Sequence, residues 1–435
     1  MLLDSDTLHS SIDDPALGRM NFLNEITFTY PDAVSFAPGR PYDGFFEIED
    51  VHAHLRRYAA YLADRGASAA ELRRGFHQYG PTAGTIRELI AHSLQQDEGH
   101  KVAPEAIVVT VGAQEAMFLA LRALFGAPED ALLLVTPCYV GIIGAARLLD
   151  IPVAAVPERD GRLRIADLDE AVRGQRATGR RPRALYVVPD YANPTGSTLD
   201  LPTRTALLDF AERQGLLILE DSPYRLTGTG PRLPTLKALD EAGCVIQLGT
   251  YSKTVFPGAR VGYVLADQEV RGPDGAIRLL AEDLAKVKSM ITVNTSSLSQ
   301  AVAAGALLSV DGRLSELTAQ AAERYSRNMA ETLAQLDRRL PAARRHELGV
   351  DWNRPDGGFF LTLRTGFRAD TAALRRSARE FGVLWTPMEY FYPDGGGERD
   401  IRMSISYLTS EEIELGVERL ARFIEASTGT ERDAA

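Results

Sequence analysis

The chain has 435 residues, enough for a large domain plus a smaller one, and its 45% hydrophobic and 25% charged residues are typical of a globular protein. Its net charge of −11 argues against a nucleic-acid partner, which would require a basic surface, although local arginines could still bind a small anionic ligand. The two cysteines provide no disulfide framework, and the seven histidines form no HExxH or comparable metal-binding motif.

The N-terminal segment, up to Pro31, is expected to form an arm of partly helical character. It begins with aspartates where a signal peptide would carry positive charge before an apolar run. No stretch of the chain approaches the roughly 18 apolar residues of a membrane span. These features favour a cytoplasmic protein without a membrane partner.

Short apolar runs alternate with amphipathic segments in the central part of the chain. The runs predict strands at Ala106–Val111, Ala131–Thr136, Val153–Val156, Ala184–Val188, Leu216–Glu220, Val245–Leu248 and Val261–Leu265. The amphipathic segments predict helices at Gln114–Leu124, Gly141–Leu149 and Pro202–Gln214. Several runs are apolar throughout, as parallel strands covered on both faces are. The alternation therefore predicts an α/β fold with a mostly parallel, seven-stranded sheet.

After residue 265 the pattern changes to long helical segments, followed by a mixture of strands and helices. Helices are predicted at Ala276–Ile291, Ser299–Leu308, Leu314–Arg338, Thr371–Phe381 and Ser410–Ala426, and strands at Gly358–Leu363 and Asp400–Ile405. We expect these later elements to form a smaller α+β domain, completed by the N-terminal segment. The predicted division is an arm with part of the small domain (1–75), a large domain (76–310) and a C-terminal small domain (311–435).

Two motifs follow early strands. In Thr110–Ala116, the residues Gly112, Ala113 and Gln114 begin a helix, where backbone N–H groups and the helix dipole favour a phosphate. A tight strand–helix turn would also need glycine for steric reasons alone. Tyr139 follows the strand at Ala131–Thr136 and could stack on a flat ring or simply belong to the core.

Two further motifs follow later strands. Tyr191–Gly196 contains Asn193 in an Asn-Pro-Thr-Gly turn, which could be no more than a strand-ending turn. Glu220–Arg225 places Asp221 and Tyr224 directly after a buried run. A carboxylate there could cap a helix, but ligands of α/β sheets also gather outside the carboxyl ends of strands.

The segment Gly249–Gly262 combines a lysine with groups that bind phosphate. Thr250, Ser252 and Arg260 could hold phosphate oxygens by hydrogen bonds and a guanidinium fork. Lys253 would then lie next to the phosphorylated ligand, ready for imine chemistry. The alternative is a surface loop with an ordinary lysine.

The order and spacing of these motifs resemble the fold-type I, pyridoxal-5′-phosphate (PLP)-dependent class I/II aminotransferases from about Ser35 to Ile424. The motifs, in order, are FAPGRP, YGPTAGTIRELI, VGAQEAM, PCY, YANPTG, EDSPY, YSKTVFPGARVG and RMSIS. The resemblance implies a large domain with the parallel sheet, a smaller α+β domain, and PLP as cofactor.

The resemblance also implies a role for each matching residue. Lys253 would hold PLP as an imine and shuttle the proton, with Asp221 on the pyridinium nitrogen and Tyr139 stacked on the ring. Asn193 and Tyr224 would bind the phenolic oxygen, and the phosphate ligands would be Gly112, Ala113, Gln114, Thr250, Ser252 and Arg260. Arg402 would clamp the substrate α-carboxylate, with Arg40 and Asn193 also at the substrate. Tyr79 would reach the phosphate of a neighbouring subunit, so a homodimer is expected.

The segments Asn21–Glu25 and Phe36–Phe46 resemble actinobacterial transaminases of peptide-antibiotic pathways, which make arylglycines such as 3,5-dihydroxyphenylglycine. An arylglycine transaminase is therefore the favoured function. The alternatives are an enduracididine, aminoadipate or aromatic aminotransferase, and a PLP-dependent oxidase or cyclase of a guanidino amino acid. A regulator with an aminotransferase-like domain is disfavoured, because the short acidic arm leaves no room for a DNA-binding module.

Overall fold

The computed structural model describes residues 2–4, 7–159 and 161–434. Its helices are α1 Pro15–Thr29, α2 Ile48–Asp64, α3 Ala69–His77, α4 Arg87–Glu98, α5 Gly112–Leu124, α6 Val140–Leu148, α7 Ile165–Ala177, α8 Leu201–Gln214, α9 Leu236–Leu239, α10 Leu280–Ser289, α11 Ser297–Ser309, α12 Leu314–Leu317, α13 Ala319–Arg339, α14 Ala342–Leu348, α15 Thr371–Arg376 and α16 Ser410–Ala434. Its strands are β1 Val34–Ser35, β2 Ile107–Thr110, β3 Asp130–Thr136, β4 Val153–Arg159, β5 Arg162–Leu163, β6 Arg181–Val187, β7 Leu217–Asp221, β8 Val245–Thr250, β9 Gly262–Leu265, β10 Glu269–Arg271, β11 Ile277–Leu279, β12 Asp351–Trp352, β13 Phe360–Arg364, β14 Val383–Leu384, β15 Thr386–Pro387 and β16 Asp400–Ser404. None of these helices is long and apolar enough to cross a membrane.

The main sheet of the described residues has the strand order β2-β9-β8-β7-β6-β3-β4-β5. The central pairs, from β8 through β7, β6 and β3 to β4, are parallel, whereas β9 and β5 run antiparallel to their neighbours. The α/β fold with a mostly parallel sheet is thus confirmed, but the predicted number of seven strands was wrong. The eighth strand, Arg162–Leu163, is too short to produce a periodic pattern and forms only as a hairpin with the end of β4.

Alternating residues of the strands pack into separate cores on the two faces of the sheet. Leu132 and Leu134 of β3 pack with helices α5, α6 and α10, whereas Leu133 and Val135 pack with α7 and α8. Because both faces are covered, a central strand segment such as Leu132–Val135 is apolar on both sides, as the sequence indicated.

Two predicted helices begin or continue differently in the structure. The segment Ala276–Ile291 starts with β11, which pairs with β10 across a turn at Gly275, where φ is +83°. The segment Leu314–Arg338 is divided at Thr318, whose hydroxyl donates to the carbonyl of Leu314 at 3.0 Å. Both differences arise from local backbone and side-chain hydrogen bonds rather than from the apolar pattern.

A second, antiparallel sheet has the order β12-β13-β16-β15 and packs against α13 and α16. The N-terminal segment joins this smaller unit because β1 pairs in parallel with β14. The side chains of Asn21, Leu23 and Asn24, in the segment Asn21–Glu25, lie outside the described residues. Tyr58 of α2 packs in the core of the large sheet together with α4 and α11. We therefore keep the predicted division as a proposal with one change: α2, which was assigned to the segment 1–75 of the arm and small domain, is proposed to belong to the large domain.

Candidate active site

A cavity of about 380 Å³ lies where the carboxyl ends of β7 and β8 meet the small domain. Such ends are the usual ligand-binding edge of a parallel sheet. Twelve of the predicted site residues line it: Arg40, Ala113, Gln114, Tyr139, Asn193, Asp221, Tyr224, Thr250, Ser252, Lys253, Arg260 and Arg402. Thus residues from the ends of separate strands of the main sheet converge on a single cavity with Arg40 and Arg402 of the smaller unit.

Lys253 presents the amine of this cavity. Its Nζ donates a hydrogen bond to the carbonyl oxygen of Gly39 at 2.9 Å. Burial lowers the pKa of Lys253 to about 8, assisted by the positive charges of Arg260 and Arg402 and opposed by Asp221. The chain has only four other lysines, Lys101, Lys237, Lys286 and Lys288, and none of them lines the cavity. Lys253 is therefore the amine available for imine chemistry.

Asp221 ends β7 and is almost fully buried, with 3% of its surface exposed. Its Oδ2 accepts a hydrogen bond from the hydroxyl of Tyr186 at 2.6 Å, and its Oδ1 has no partner among the described residues. Burial raises the pKa of Asp221 to about 7, opposed by Tyr186 and by the charge of Lys253. A buried carboxylate with one free oxygen requires a cationic or donor partner.

Hydroxyl groups and a guanidinium form an anion cradle beside Lys253. The hydroxyl of Thr250 lies 3.1 Å from that of Ser252, which in turn accepts from Nη1 of Arg260 at 3.3 Å. Arg260 has a left-handed backbone (φ +50°), an unfavourable conformation for a residue other than glycine. Such strain is maintained here at a position that directs the guanidinium into the site.

The N-terminus of α5 forms the other side of this cradle. No side chain caps its first N–H groups, which belong to Gly112 and the residues after it. Gly112 lies behind Arg260 rather than in the cavity lining: a Cβ at this position would be 2.6 Å from Nη2 of Arg260. Free N–H groups, the helix dipole and a guanidinium together suit a phosphate.

Arg402, from β16, is a further basic side chain at the cavity wall. Its guanidinium donates to Oδ1 of Asn193 at 2.9 Å, to the hydroxyl of Thr386 at 3.0 Å and to the carbonyl of Ala37. Its Nε has no partner, and no described carboxylate forms an ion pair with it. Burial lowers its pKa to about 10, opposed by Tyr224 and Tyr139. This buried, uncompensated charge is suited to a substrate carboxylate.

Polar side chains and aromatic rings complete the walls. Asn193 donates to the hydroxyl of Tyr224 at 3.4 Å. The hydroxyl of Tyr139 donates to Oε1 of Gln114 at 3.5 Å, and burial raises the pKa of Tyr139 to about 12. Burial also raises the pKa of Tyr224 above its usual range, so both tyrosines remain neutral donors or acceptors at physiological pH.

Sequence reasoning missed several residues at the site. The cavity is also lined by Thr27, Phe28, Ala37, Pro38, Gly39, Met117, Val140, Val188, Pro223, Pro257 and Phe391. Six of them (Ala37, Pro38, Gly39, Met117, Pro223 and Pro257) lie within the motifs named above but carry no charged or reactive group, so they were given no role. The other five lie outside those motifs, in distant segments. Tyr186 is different, because a phenol inside the apolar strand run ALYVV is a polar group that must find a buried partner.

Tyr79 lies outside this cavity and is 84% exposed. Its predicted contact with the phosphate of a neighbouring subunit therefore stays a prediction.

No group of histidine, cysteine or acidic side chains among the described residues could hold a metal ion.

The cavity offers partners for each polar part of PLP. Oδ1 of Asp221 is a free acceptor for a protonated ring nitrogen, the cradle around Arg260 suits the phosphate, and Lys253 supplies the amine for the aldehyde. Arg402 has no carboxylate partner among the described residues and an unpaired Nε, so it is available to a substrate carboxylate. The residues present thus fit this cofactor together with an amino acid.

Comparisons with known proteins agree with this chemistry. The model of the family "Aminotransferase class I and II" matches residues 48–420. The chain is 47% identical over 425 residues to (S)-3,5-dihydroxyphenylglycine transaminase of Amycolatopsis orientalis, covering 98% of this chain and 95% of that protein. It also resembles the crystal structure of a multiple substrate aminotransferase from Thermococcus profundus (TM-score 0.81, 26% identity, 98% of this chain and 100% of that chain).

A further solved structure bears on the cofactor. The α-aminoadipate aminotransferase from Thermus thermophilus, complexed with N-(5′-phosphopyridoxyl)-L-leucine, has a TM-score of 0.76 and 30% identity, covering 97% of this chain and 99% of that chain. The fold, the cavity and the family match lead to one conclusion: the chain belongs to the class I and II aminotransferases and is a PLP-dependent aminotransferase.

Proposed function

We propose that this enzyme interconverts (S)-3,5-dihydroxyphenylglycine, or a closely related arylglycine, and the corresponding 2-oxo acid in the biosynthesis of a peptide antibiotic. The observation that carries the proposal is the 47% identity to a transaminase of that name over nearly the whole chain. The apolar part of the cavity wall, formed by Phe28, Met117, Val140, Val188 and Phe391, supports an aryl side chain.

In this proposal Arg402 and Lys253 have separate roles in the reaction. When bound, PLP supplies a ring that withdraws electrons from the substrate Cα. Arg402 binds the α-carboxylate and fixes the orientation of the substrate. The amine of Lys253 would remove the proton from the substrate Cα and, now as an acid, would return it to the carbon on the cofactor side of the substrate nitrogen. Its lowered pKa leaves a useful fraction of the amine neutral near neutral pH.

The remaining cofactor contacts are proposals of the same kind. Asp221 would pair with the ring nitrogen, Asn193 and Tyr224 would bind the phenolic oxygen, and Tyr139 would stack on the ring. The residues that would hold the phosphate are Gly112, Ala113, Gln114, Thr250, Ser252 and Arg260. Support comes from the position of these residues at one cavity or directly behind it.

A second candidate substrate class is an amino dicarboxylate such as 2-aminoadipate. The guanidinium of Arg40 lines the cavity, stacks on the ring of Tyr407 at 4.0 Å and forms no ion pair with a described carboxylate. Such a group could bind a distal carboxylate as well as a phenolic hydroxyl. A similar fold is found in the Thermus thermophilus α-aminoadipate aminotransferase.

Product analysis with a panel of amino acids tests these proposals. The PLP-loaded enzyme is incubated with (S)-3,5-dihydroxyphenylglycine, tyrosine, 2-aminoadipate, glutamate or enduracididine, and oxo acids and oxygen consumption are measured. We expect the largest kcat/KM for the arylglycine and no oxygen uptake. If the dicarboxylate is the true substrate, Arg40→Leu should lower kcat/KM for 2-aminoadipate at least tenfold more than it lowers kcat/KM for the arylglycine. If the arylglycine is the true substrate, we expect no such difference. Oxygen uptake would instead indicate an oxidase.

We also propose that the enzyme is a cytoplasmic homodimer in which Tyr79 reaches the active site of the partner subunit. The side chains of Tyr79 and Leu298 are 84% and 49% exposed, and the hydroxyl of Ser297 donates to the carbonyl of Gln78 at 3.3 Å. The two exposed segments therefore lie next to each other, as the parts of an intersubunit surface would.

A further inference from the structure

Tyr186 is a fully buried tyrosine whose hydroxyl has no part in the roles proposed above. It lies in β6 opposite Leu219 of β7, and Asp221 follows two residues further along β7 on the same face of the sheet. This diagonal arrangement brings the hydroxyl to within 2.6 Å of Oδ2 of Asp221. A phenol can donate this bond to an ionised carboxylate, which can only accept.

The bond divides the two oxygens of Asp221 between protein and cavity. Oδ2 is occupied by Tyr186, whereas Oδ1 is buried without a partner among the described residues, in a side chain that lines the cavity. A short bond to a charged acceptor favours the ionised form and restricts rotation of the carboxylate. The hydroxyl thus acts on the protonation state and on the orientation of Asp221 together.

We propose that Tyr186 is a positioning residue, which keeps Asp221 ionised and directs Oδ1 toward the ring nitrogen of PLP. This inference rests on the proposed role of Asp221. It implies that the hydroxyl of Tyr186 strengthens PLP binding through the ring nitrogen alone.

The test compares PLP with 1-deazapyridoxal phosphate, in which a C–H group replaces the ring nitrogen. The dissociation constants of both compounds are measured for the apoenzyme by absorbance titration. For Tyr186→Phe we expect roughly tenfold weaker binding of PLP, because a bond to a charged group is lost, and less than about a twofold change for the analogue. A purely structural effect would weaken both equally.

Three companion variants keep the result interpretable. Tyr390→Phe removes another buried hydroxyl with a 2.6 Å bond, to Thr371 in the small domain, and should change neither constant. Asp221→Asn should weaken PLP selectively, and the double variant Tyr186→Phe/Asp221→Asn should show no additional loss.

Two results would overturn the inference. In the first, Tyr186→Phe changes the dissociation constants of PLP and of the analogue equally, or changes neither, whereas Asp221→Asn weakens PLP binding selectively. This result would refute the role of Tyr186 but not that of Asp221. If Asp221→Asn itself did not discriminate between the two compounds, the proposed pairing of Asp221 with the ring nitrogen would be wrong, and this inference with it.

Discussion

The chemistry of Lys253 depends on charges that surround it. Burial and the neighbouring guanidinium groups lower its pKa to about 8 from the 10.5 of an ordinary lysine. The neutral, nucleophilic fraction near pH 7.5 is thereby about two orders of magnitude larger. A cation-rich pocket thus activates the amine and also binds the anionic groups of cofactor and substrate.

This setting predicts the pH dependence of cofactor uptake. As pH rises, Lys253 loses its proton, so the rate of covalent PLP uptake by the apoenzyme should increase up to about pH 8 and then level. The variant Arg402→Gln removes one of the charges that lower the pKa, so its plateau should begin at higher pH. Stopped-flow absorbance measures the rate, with the exposed Arg213→Gln as control. A rate in the wild-type enzyme that keeps rising toward pH 10.5 would contradict this explanation.

At the residue scale, sequence reasoning identified those side chains whose chemistry is evident from a motif. Lys253, Asp221 and Arg402 are charged residues next to buried strands or within one, and all three line the cavity. Tyr186 was missed because its significance depends on strand register, which no local motif records. Given the strand order β6–β7, the alternation of faces would have been sufficient to find it.

At the scale of elements, the phosphate site depends on how closely α5 approaches Arg260. Gly112 has φ +72°, and a Cβ there would lie 2.6 Å from Nη2 of Arg260. Gly215, at the end of α8, also has a positive φ of +65° but has no neighbouring atom within 4 Å of such a Cβ. A comparison of alanine substitutions at the two positions therefore distinguishes the effect of backbone strain, which both share, from the effect of crowding, which occurs only at Gly112.

We predict that Gly112→Ala and Gly215→Ala each destabilise the fold by about 1 kcal/mol, because alanine disfavours positive φ. Only Gly112→Ala should also weaken PLP binding, by displacing the guanidinium of Arg260. Denaturant unfolding of the apoenzyme and PLP titration measure the two effects. Unchanged PLP affinity in Gly112→Ala would show that Arg260 is not a phosphate ligand.

Elements were predictable where burial alone determines them. All seven apolar runs form strands of the main sheet, because both faces of that sheet are covered by helices. The two-residue strand β5, the β10–β11 hairpin and the interruption at Thr318 depend on individual turns and hydrogen bonds. Such features leave no periodic signal in the sequence.

For the whole molecule, the proposed dimer predicts complementation between inactive subunits. If Tyr79 acts in the partner's site, a mixed dimer of Lys253→Ala and Tyr79→Ala subunits contains one site with both residues intact. Refolding or coexpression of the two variants should then restore up to about a quarter of the wild-type activity, since half the dimers are mixed and each has one good site.

The matched control combines Lys253→Ala with Asp221→Asn. Both residues line the cavity of the same chain, so neither site of that mixed dimer is intact and no activity should return. Recovery in the control, or none in the Tyr79 pair despite mixed dimers, would exclude the shared site.

The most direct test of the central claim is to locate the lysine that holds PLP. The holoenzyme is reduced with borohydride, digested, and analysed by mass spectrometry for the phosphopyridoxyl group on each of the five lysines. We predict the group on Lys253 alone, no label and no transamination in Lys253→Ala, and normal labelling in the exposed Lys286→Ala control. Label on another lysine, or transamination at the native rate by Lys253→Ala, would contradict the account.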